Sequence, residues 1–415
     1  MKDFVGINGH TFQFKPELYG NVAGQARDYH PLTWDLHGKP NEPATFPYSR
    51  HKIQKGKRVN WEEVYTSWKD AGFQIDACIT FGWHYKEGFF EDMPAEMEAY
   101  GEQFARFFGP SGKLNLVQAM EIGNEPPNDG ITIEDYVPAF VAMAKGIRKG
   151  DPEMKILTCT VASDKTDQWE FPIESLNEHK DLYDVINMHS YAFVEGWPTM
   201  KRSYPEDPDT DYLKKVDRMI EWRSKNAPDK EIWVTEFGYD APSVEMLEAT
   251  RKKGMEKFIP QTELQQAQWN LRTFLALAKR PVSRAYVYYY DDKDGPPSFH
   301  ANSGLTRNSV PKMAYYAQEQ FYQLLKEHRF DHIVTENEDS YVYAFTKTDG
   351  SDPIWIAWHP GGTGQEREIN LKCPTKPEKV LAMVTTDENP QSKSFSYDEG
   401  QLKVTIDESP CYIVF

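Results

Sequence analysis

The sequence lacks three features that would assign it to other classes of protein. It has only four cysteines in 415 residues, with no Cys-x-x-Cys pair and no metal-ligand spacing. It has no run of about 18 apolar residues, so no membrane span is predicted. Its formal net charge of -17 lacks the excess of Lys and Arg that binds a phosphate backbone, so no nucleic-acid partner is expected.

The cysteines and the first residues also bear on where the protein works. Cys78 and Cys159 lie in apolar runs, where a thiol packs as a small hydrophobic group. Cys373 and Cys411 could pair within a C-terminal domain, but free thiols are the expectation. The opening Met1–Gly6 lacks the apolar segment of a signal peptide, so we expect an intracellular protein or a chain whose leader has been removed.

The composition is that of a folded protein rich in aromatic residues. A chain of 415 residues predicts one large domain plus a smaller one. The sequence is 39% hydrophobic and 27% charged, which supplies ample apolar surface for a core. Aromatic residues reach 14%, and apolar sugar faces stack well on such rings, although many of these rings belong to the core.

Short β-rich runs alternate with helical periodicity over the first 328 residues. A helix that follows Asn60, a favourable N-cap, is predicted from Trp61 to Gly72. The pattern predicts a (β/α)8 TIM barrel over residues 1–328, with a doubly wound open sheet as the second choice. The eight predicted strands are Val5–His10, Ala23–Tyr29, Ile75–Phe81, Leu116–Ile122, Ile156–Val161, Val185–His189, Ile232–Thr235 and Ala285–Tyr289.

The periodicity changes after residue 328. Short strand-length runs separated by turn residues predict an appended antiparallel β-sandwich over residues 329–415, which we expect to stabilise the barrel rather than to bind sugar. Its predicted strands are Tyr341–Phe345, Ile354–Trp358, Ile369–Leu371, Val380–Val384, Leu402–Ile406 and Tyr412–Phe415.

Two glutamates end predicted barrel strands. Glu125 lies in Gly123-Asn124-Glu125-Pro126-Pro127 after the fourth strand, and Glu236 follows Trp233-Val234-Thr235 at the end of the seventh. The C-terminal ends of barrel strands line one mouth, so the two carboxyl groups are expected to face each other there. A carboxylic acid beside a carboxylate is the arrangement that cleaves glycosidic bonds.

Asn124-Glu125-Pro126 combined with Thr235-Glu236-Phe237-Gly238 resembles the pattern of clan A glycoside hydrolases. The resemblance implies a retaining enzyme that cleaves β-linked oligo- or polysaccharide, with Glu125 as acid/base and Glu236 as nucleophile. It implies that Asn124 contacts the sugar 2-hydroxyl. Segments after the eighth strand, such as Ser303-Gly304-Leu305-Thr306, resemble clan members with a terminal β-sandwich, among them the β-xylosidase and α-iduronidase family.

Further residues are predicted to surround the glutamates. Arg27 resembles a strand-two arginine that binds the nucleophile, and His189 and Tyr191 form a His-x-Tyr pattern found near the nucleophile in several clan members. Many members end strand eight in a tryptophan, where this chain has a tyrosine run, so Tyr290 is the expected sugar platform, with a slip of the alignment by one residue as the alternative. The remaining predicted sugar contacts are His30, Trp83, His84, Trp197 and Tyr239, and for each of them loop or core packing is an open alternative.

Two other functions compete with this interpretation. A carbohydrate-binding barrel without catalysis would usually lack one of the two glutamates. A metal-dependent hydrolase on the same barrel would need His and Asp clusters at several strand ends, whereas the first strand offers only Asn8-Gly9-His10. We therefore expect no cofactor and no metal, and a monomer or weak oligomer.

Overall fold

Eight parallel strands form the centre of the N-terminal part of the chain. The computed structural model describes residues 1–36, 42–82, 89–164, 169–292, 301–362 and 364–415. Most of these strands are buried on both faces, as their near-continuous apolar sequences require. They are β1 (Val5–Gly9), β2 (Gln25–Pro31), β3 (Gln74–Thr80), β4 (Val117–Ile122), β5 (Lys155–Ala162), β6 (Val185–His189), β7 (Glu231–Phe237) and β8 (Arg284–Val287).

The strands close into a barrel. Each one pairs in parallel with the next along the chain. β8 returns to β1, where Val5 lies opposite Ala285. This pairing confirms the predicted TIM barrel and rules out the open doubly wound sheet, because an open sheet would leave two unpaired edges.

Helices cover the outside of the barrel. In the described part of the chain they are α1 (Pro16–Tyr19), α2 (Trp61–Asp70), α3 (Met93–Phe108), α4 (Ile133–Gly150), α5 (Tyr212–Asn226), α6 (Val244–Lys252), α7 (Glu263–Ala278) and α8 (Met313–Leu325). The predicted N-cap of α2 is present, since the side chain of Asn60 accepts from the backbone N–H of Glu63. None of the helices in the described ranges is long and apolar enough to span a bilayer.

Two antiparallel sheets follow the barrel and confirm the predicted sandwich. The five-stranded sheet has the order β9-β10-β11-β16-β13, and the three-stranded sheet has the order β12-β15-β14. The predicted boundary after residue 328 falls at the start of β9. The strands are β9 (His328–Glu336), β10 (Tyr341–Lys347), β11 (Ile354–Trp358), β12 (Arg367–Lys372), β13 (Lys379–Leu381), β14 (Phe395–Asp398), β15 (Gln401–Ile406) and β16 (Cys411–Val414).

The inner strands β10 and β11 of the five-stranded sheet are buried on both faces. Residues alternate along β10, where Tyr343 and Phe345 join the core of the barrel and Val342 and Ala344 join the core of the sandwich. Polar contacts add to this interface, because Gln320 on α8 exchanges hydrogen bonds with the backbone of residues 382 and 384. All four cysteines are buried free thiols, including the two that were considered as a pair.

Candidate active site

A polar layer crosses the barrel beneath its C-terminal mouth, and Arg27 on β2 is its centre. The guanidinium group is completely buried and donates to both carboxylate oxygens of Glu121 on β4, each at 2.7 Å. It also donates to Asn8 on β1 and Asn124 at the end of β4, both at 2.8 Å. Nη1 also donates to Oε1 of Glu236 at 3.0 Å, and Nη2 donates to the sulfur of Cys78 on β3 at 3.3 Å. Burial of this charge is offset by carboxylate partners and a full set of acceptors.

Glu236 lies at an irregularity near the end of β7. The pairing of β7 with β6 shifts between Val234 and Glu236, and its pairing with β8 shifts between Val234 and Phe237. Such a bulge turns a side chain away from the regular alternation of the strand. Here it coincides with a glutamate whose side chain is buried in the barrel mouth and bonded to Arg27.

Two phenols complete the surroundings of Glu236. Tyr29 at the end of β2 donates to Oε1 at 2.5 Å, and Tyr191, which follows β6, donates to Oε2 at 2.8 Å. Burial alone would raise the pKa of Glu236, but the charges of His189 and Arg27 and the two hydroxyl groups hold it at about 2. The side chain is therefore a carboxylate at neutral pH.

Glu125 faces the same space from the end of β4. Gly123 adopts φ +85°, a conformation that favours glycine, and lets the chain turn away from the strand two residues before Glu125. Nδ1 of His189 lies 2.8 Å from Oε1 of Glu125, and the amide of Asn128 donates to Oε2 at 2.6 Å. The Glu125 side chain is 21% exposed and that of Glu236 is 6% exposed, so Glu125 has the freer access to solvent.

His189 lies between the two glutamates. Its Nδ1 is 3.6 Å from Oε2 of Glu236 as well as 2.8 Å from Glu125. Burial lowers the pKa of His189, but the negative charges of Glu236 and Glu125 outweigh burial and raise the pKa above its usual value. One ring nitrogen of His189 and one carboxylate oxygen of each glutamate all lie within 4.8 Å of one another.

These three residues are also the one group of His, Cys, Asp and Glu in the described ranges with spacing that could hold a metal ion. The partners of Glu236 do not favour this use. Its two oxygens already accept hydrogen bonds from a buried arginine and two phenols. A guanidinium group directly on the carboxylate would repel a second cation. The donor set fits a stabilised carboxylate better than a metal ligand.

Of the other predicted site residues, some lie in the cleft and some do not. Arg27, Asn124, His189 and Tyr191 surround the glutamates as described above. Trp197 lies on the loop that follows β6 and is 66% exposed. The predictions for Trp83 and His84 fall outside the described residues.

Two predicted sugar contacts, His30 and Tyr239, are buried side chains. His30 is fully buried, with Nδ1 on Tyr65, Nε2 on Asp35 and its ring stacked on Trp61. It therefore has no nitrogen left for a sugar. Tyr239 is 1% exposed and packs edge-to-face on Trp269. Both residues lie close to strand ends, as predicted, and both side chains take the packed position that the sequence left open as the alternative.

The expected sugar platform, Tyr290, is also a buried side chain. Tyr290 is 1% exposed and packs edge-to-face against Phe14 and Tyr19 beneath the mouth. Tyr288 is only partly buried and lies edge-to-face with Tyr29. Burial, followed by the negative charge of Glu236, raises the pKa of Tyr288, which places its phenol in the field of the site. Tyr288, two residues before Tyr290, is therefore the partly exposed ring of this run that lies near Glu236.

The sequence analysis missed several residues that build the site. Asn8 holds Arg27 and donates to the backbone oxygen of Thr235 at 2.9 Å, one residue before Glu236. Glu121 was visible as a charged residue inside an apolar strand, a pattern that indicates a buried ion pair. Tyr29 lies two residues after Arg27, on the same face of β2.

The fold and the site together define a class of architecture, a closed (β/α)8 barrel with a C-terminal β-sandwich and two facing glutamates at the mouth. Solved glycoside hydrolases have a similar fold. A family 39 glycoside hydrolase from the gut symbiont Bacteroides cellulosilyticus WH2 is similar over 99% of this chain and 80% of that chain, with TM-score 0.71 and 17% identity. A glucosidase from Croceicoccus marinus is similar over 100% of this chain and 96% of that chain, with TM-score 0.68 and 12% identity.

The likeness extends over several families. The catalytic domain of a family 30 xylanase from Talaromyces cellulolyticus covers 100% of this chain and 96% of that chain, with TM-score 0.59 and 12% identity. No protein-family model and no curated protein matches the sequence. The predicted resemblance is thus confirmed for the fold, and because identities are so low the function has to be argued from the site.

Proposed function

We propose that this protein is a retaining glycoside hydrolase that cleaves β-linked oligo- or polysaccharide, with Glu236 as nucleophile and Glu125 as acid/base. The observation that carries the proposal is the unequal pair of carboxyl groups at the barrel mouth. Oxygens of the two lie within 4.8 Å of each other. A retaining mechanism needs carboxyl groups about 5 to 5.5 Å apart, whereas an inverting one needs about 6.5 to 9.5 Å.

The environments of the two glutamates match the two roles. Glu236 is kept ionised by Arg27, Tyr29 and Tyr191, as an attacking carboxylate must be. Glu125 is more accessible and lies beside His189, where a proton can pass to a leaving group or from a water molecule.

The reaction has two displacement steps. In the first step, Glu236 forms a bond to the anomeric carbon while the glycosidic C–O bond breaks, and Glu125 gives its proton to the departing oxygen. In the second step, water attacks the same carbon, Glu125 takes a proton from the water, and the ester bond to Glu236 breaks. Each step inverts the anomeric centre, so the product retains the configuration of the substrate.

The neighbouring groups suit a sugar. The carbonyl oxygen of Asn124 accepts from Arg27, which leaves its amide N–H groups for the hydroxyl of a ligand. The partly exposed ring of Tyr288 offers an apolar face beside Glu236. The solved structures of similar fold, described as a family 39 glycoside hydrolase, a glucosidase and a xylanase, support the same reaction class.

The test is a matched pair of variants with azide. Glu236→Ala leaves room for azide to attack an activated aryl β-glycoside directly, so the expected product is the glycosyl azide of inverted configuration. Glu125→Ala still forms the glycosyl-enzyme on Glu236, so azide in the second step gives the azide of retained configuration. NMR of the two products distinguishes them, and a panel of aryl β-glycosides identifies the sugar.

Other outcomes point to other functions. Full activity of Glu236→Ala would contradict the assigned nucleophile. Binding of oligosaccharide without hydrolysis by the wild type would indicate a non-catalytic carbohydrate-binding barrel. Activity that disappears with a chelator and returns with a divalent ion would instead support a metal-dependent hydrolase.

A further inference from the structure

Arg202 is a buried cation that joins two loops at the barrel mouth. It lies after β6 and is 4% exposed. Its Nη1 donates to the backbone oxygen of Gly238 at 2.8 Å and lies 3.1 Å from Oδ2 of Asp240. Both of these residues follow Glu236 closely in sequence. Arg202 therefore ties the loop after β6 to the chain that leaves the proposed nucleophile.

The same guanidinium group packs against the ring of Tyr191. Its central carbon lies 4.8 Å from the centre of the Tyr191 ring and 4.9 Å from that of Phe193. A β-bridge between Phe193 and Arg202 and a hydrogen bond from Ser203 N to Ala192 O close this loop on itself. The ring of Tyr191 is thus supported from one side, at the position where its hydroxyl group meets Glu236.

We propose that Arg202 is a positioning residue, which holds the phenol of Tyr191 in hydrogen-bonding orientation against Glu236. A phenol ring can rotate and tilt, and its hydrogen bond is directional, so a packed cation beneath the ring preserves the 2.8 Å contact. Arginine suits this role because its planar group stacks on the ring while its N–H groups bond in the same plane. The importance of Arg202 for catalysis rests on the proposed function.

The far end of this loop is also fixed. Glu206 follows Arg202 by four residues and forms a buried ion pair with Arg272 on α7. It accepts a further hydrogen bond, of 2.7 Å, from the indole N–H of Trp358 in the sandwich. Arg272 in turn donates to the backbone oxygen of Gly361 at 2.9 Å. The loop that carries Tyr191 and Arg202 is therefore anchored in both domains.

The readout is the ionisation of Glu236, which does not require a substrate. The side chain can be followed by NMR of protein with ¹³C-labelled glutamate carboxyl groups, with Glu236→Gln to identify the signal. Several titratable or charged groups face Glu236. Of these groups, the variants compared below change only Tyr191. The groups are Arg27 and Tyr29 on β2, Glu125 after β4, His189 on β6, Tyr191 after it, and Tyr288 after β8.

The experiment compares Tyr191→Phe, Arg202→Lys and the double variant. Tyr191→Phe removes a hydrogen bond to a charged group, so the pKa of Glu236 should rise by about one. Arg202→Lys keeps the positive charge but loses the stacked plane, so it should raise the pKa in the same direction. In the double variant we expect no further rise beyond that of Tyr191→Phe. A rise that adds fully in the double variant, or no rise with Arg202→Lys, would overturn the proposal.

Two further variants keep the outcome decisive. Arg284→Lys changes another arginine that lies over an aromatic ring, Trp233, at the opposite end of the barrel, and should leave the titration of Glu236 unchanged. Asp240→Asn keeps Arg202 but weakens its anchor, which loosens its contact with the Tyr191 ring, in case Arg202→Lys does not fold. It too should raise the pKa of Glu236 only when Tyr191 is present, and no rise would overturn the proposal. The titration of Glu236 does not require hydrolysis. A wild type that hydrolyses nothing would therefore contradict the proposed function and leave the test of Arg202 unaffected.

Discussion

At the scale of single residues, the site is built around one arginine. Each N–H of Arg27 has an acceptor, and these acceptors lie on, or just after, four strands, β1, β3, β4 and β7. A buried charge in such a network is stable only while its partners remain. The position of Glu236 is therefore tied to residues distant from it in sequence.

Arg27→Lys should impair both activity and stability. A lysine cannot bond Glu121 through two parallel N–H groups, and it cannot reach four acceptors at once. We expect kcat/KM to fall by about 100-fold or more, because an error of about 1 Å in a reacting group has that effect. We also expect a lower thermal midpoint. Kinetics on the best aryl glycoside and calorimetry check this, and near-normal kcat/KM would show that Glu236 is positioned without Arg27.

Glu236 should make the free energy of unfolding decrease at acidic pH. Its pKa is about 2 in the folded protein and near 4.5 in the unfolded chain. A lowered carboxyl pKa contributes stability above pH 4.5, and this contribution is lost as the pH falls towards 2. The free energy of unfolding, measured with urea between pH 7 and 3, should thus fall more steeply for wild type than for Glu236→Gln. Parallel curves would contradict the low pKa.

Two histidines show how far the sequence could predict the site. His30 and His189 both end predicted strands, and both were expected at the sugar. His189 faces Glu125, but His30 turns into a buried cluster with Asp35, Tyr65 and Trp61. The order of residues gives the position of a strand end, whereas the direction of a side chain depends on partners that arrive from distant parts of the chain.

At the scale of elements, apolar strands were predictable and polar edge strands were not. All eight barrel strands lie where their buried runs indicated, to within a few residues. In the sandwich, β9 and β14 were missed. β9 is mostly exposed and β14 alternates between partly buried and exposed residues, so neither has the apolar run that reveals a buried strand.

The loop after β6 should affect the binding of longer substrates. Trp197 is 66% exposed at a strand-end loop on the mouth side of the barrel, where a ring can stack on a sugar beyond the cleaved bond. For Trp197→Ala we expect KM for oligosaccharides to rise about tenfold, with little change for a small aryl glycoside, and an unchanged thermal midpoint. Val244→Ala, which changes another exposed apolar residue, is the matched control. An equal effect on both substrates would argue against a sugar contact.

At the scale of the whole molecule, the sandwich and the barrel have a common core. Trp358, Tyr343 and Ile356 on the five-stranded sheet are fully buried against the barrel. α7 lies beneath this sheet, and every residue from 266 to 277 on it is buried. Such an interface makes the two parts unfold together rather than separately.

Trp358→Ala should therefore destabilise the barrel as well as the sandwich. Truncation of a buried tryptophan costs about 3 to 5 kcal/mol, and here it also removes the indole hydrogen bond to Glu206. Calorimetry should give one transition at a lower temperature for this variant. Trp358→Phe keeps most of the packing, so its transition temperature should lie between those of Trp358→Ala and wild type. Two separate transitions would contradict a common core.

The burial of β10 and β11 on both faces also limits how such a chain can evolve. Many appended domains can be exchanged between genes, because each of them has a polar surface and folds on its own. A gene fragment that ended at the barrel would encode a barrel whose apolar surface is no longer covered by Trp358 and its neighbours. The separated sheet would in turn expose the apolar face that packs on the barrel. Recombination at this boundary would succeed only with a partner of matching surface, so we expect the barrel and sandwich to be inherited together.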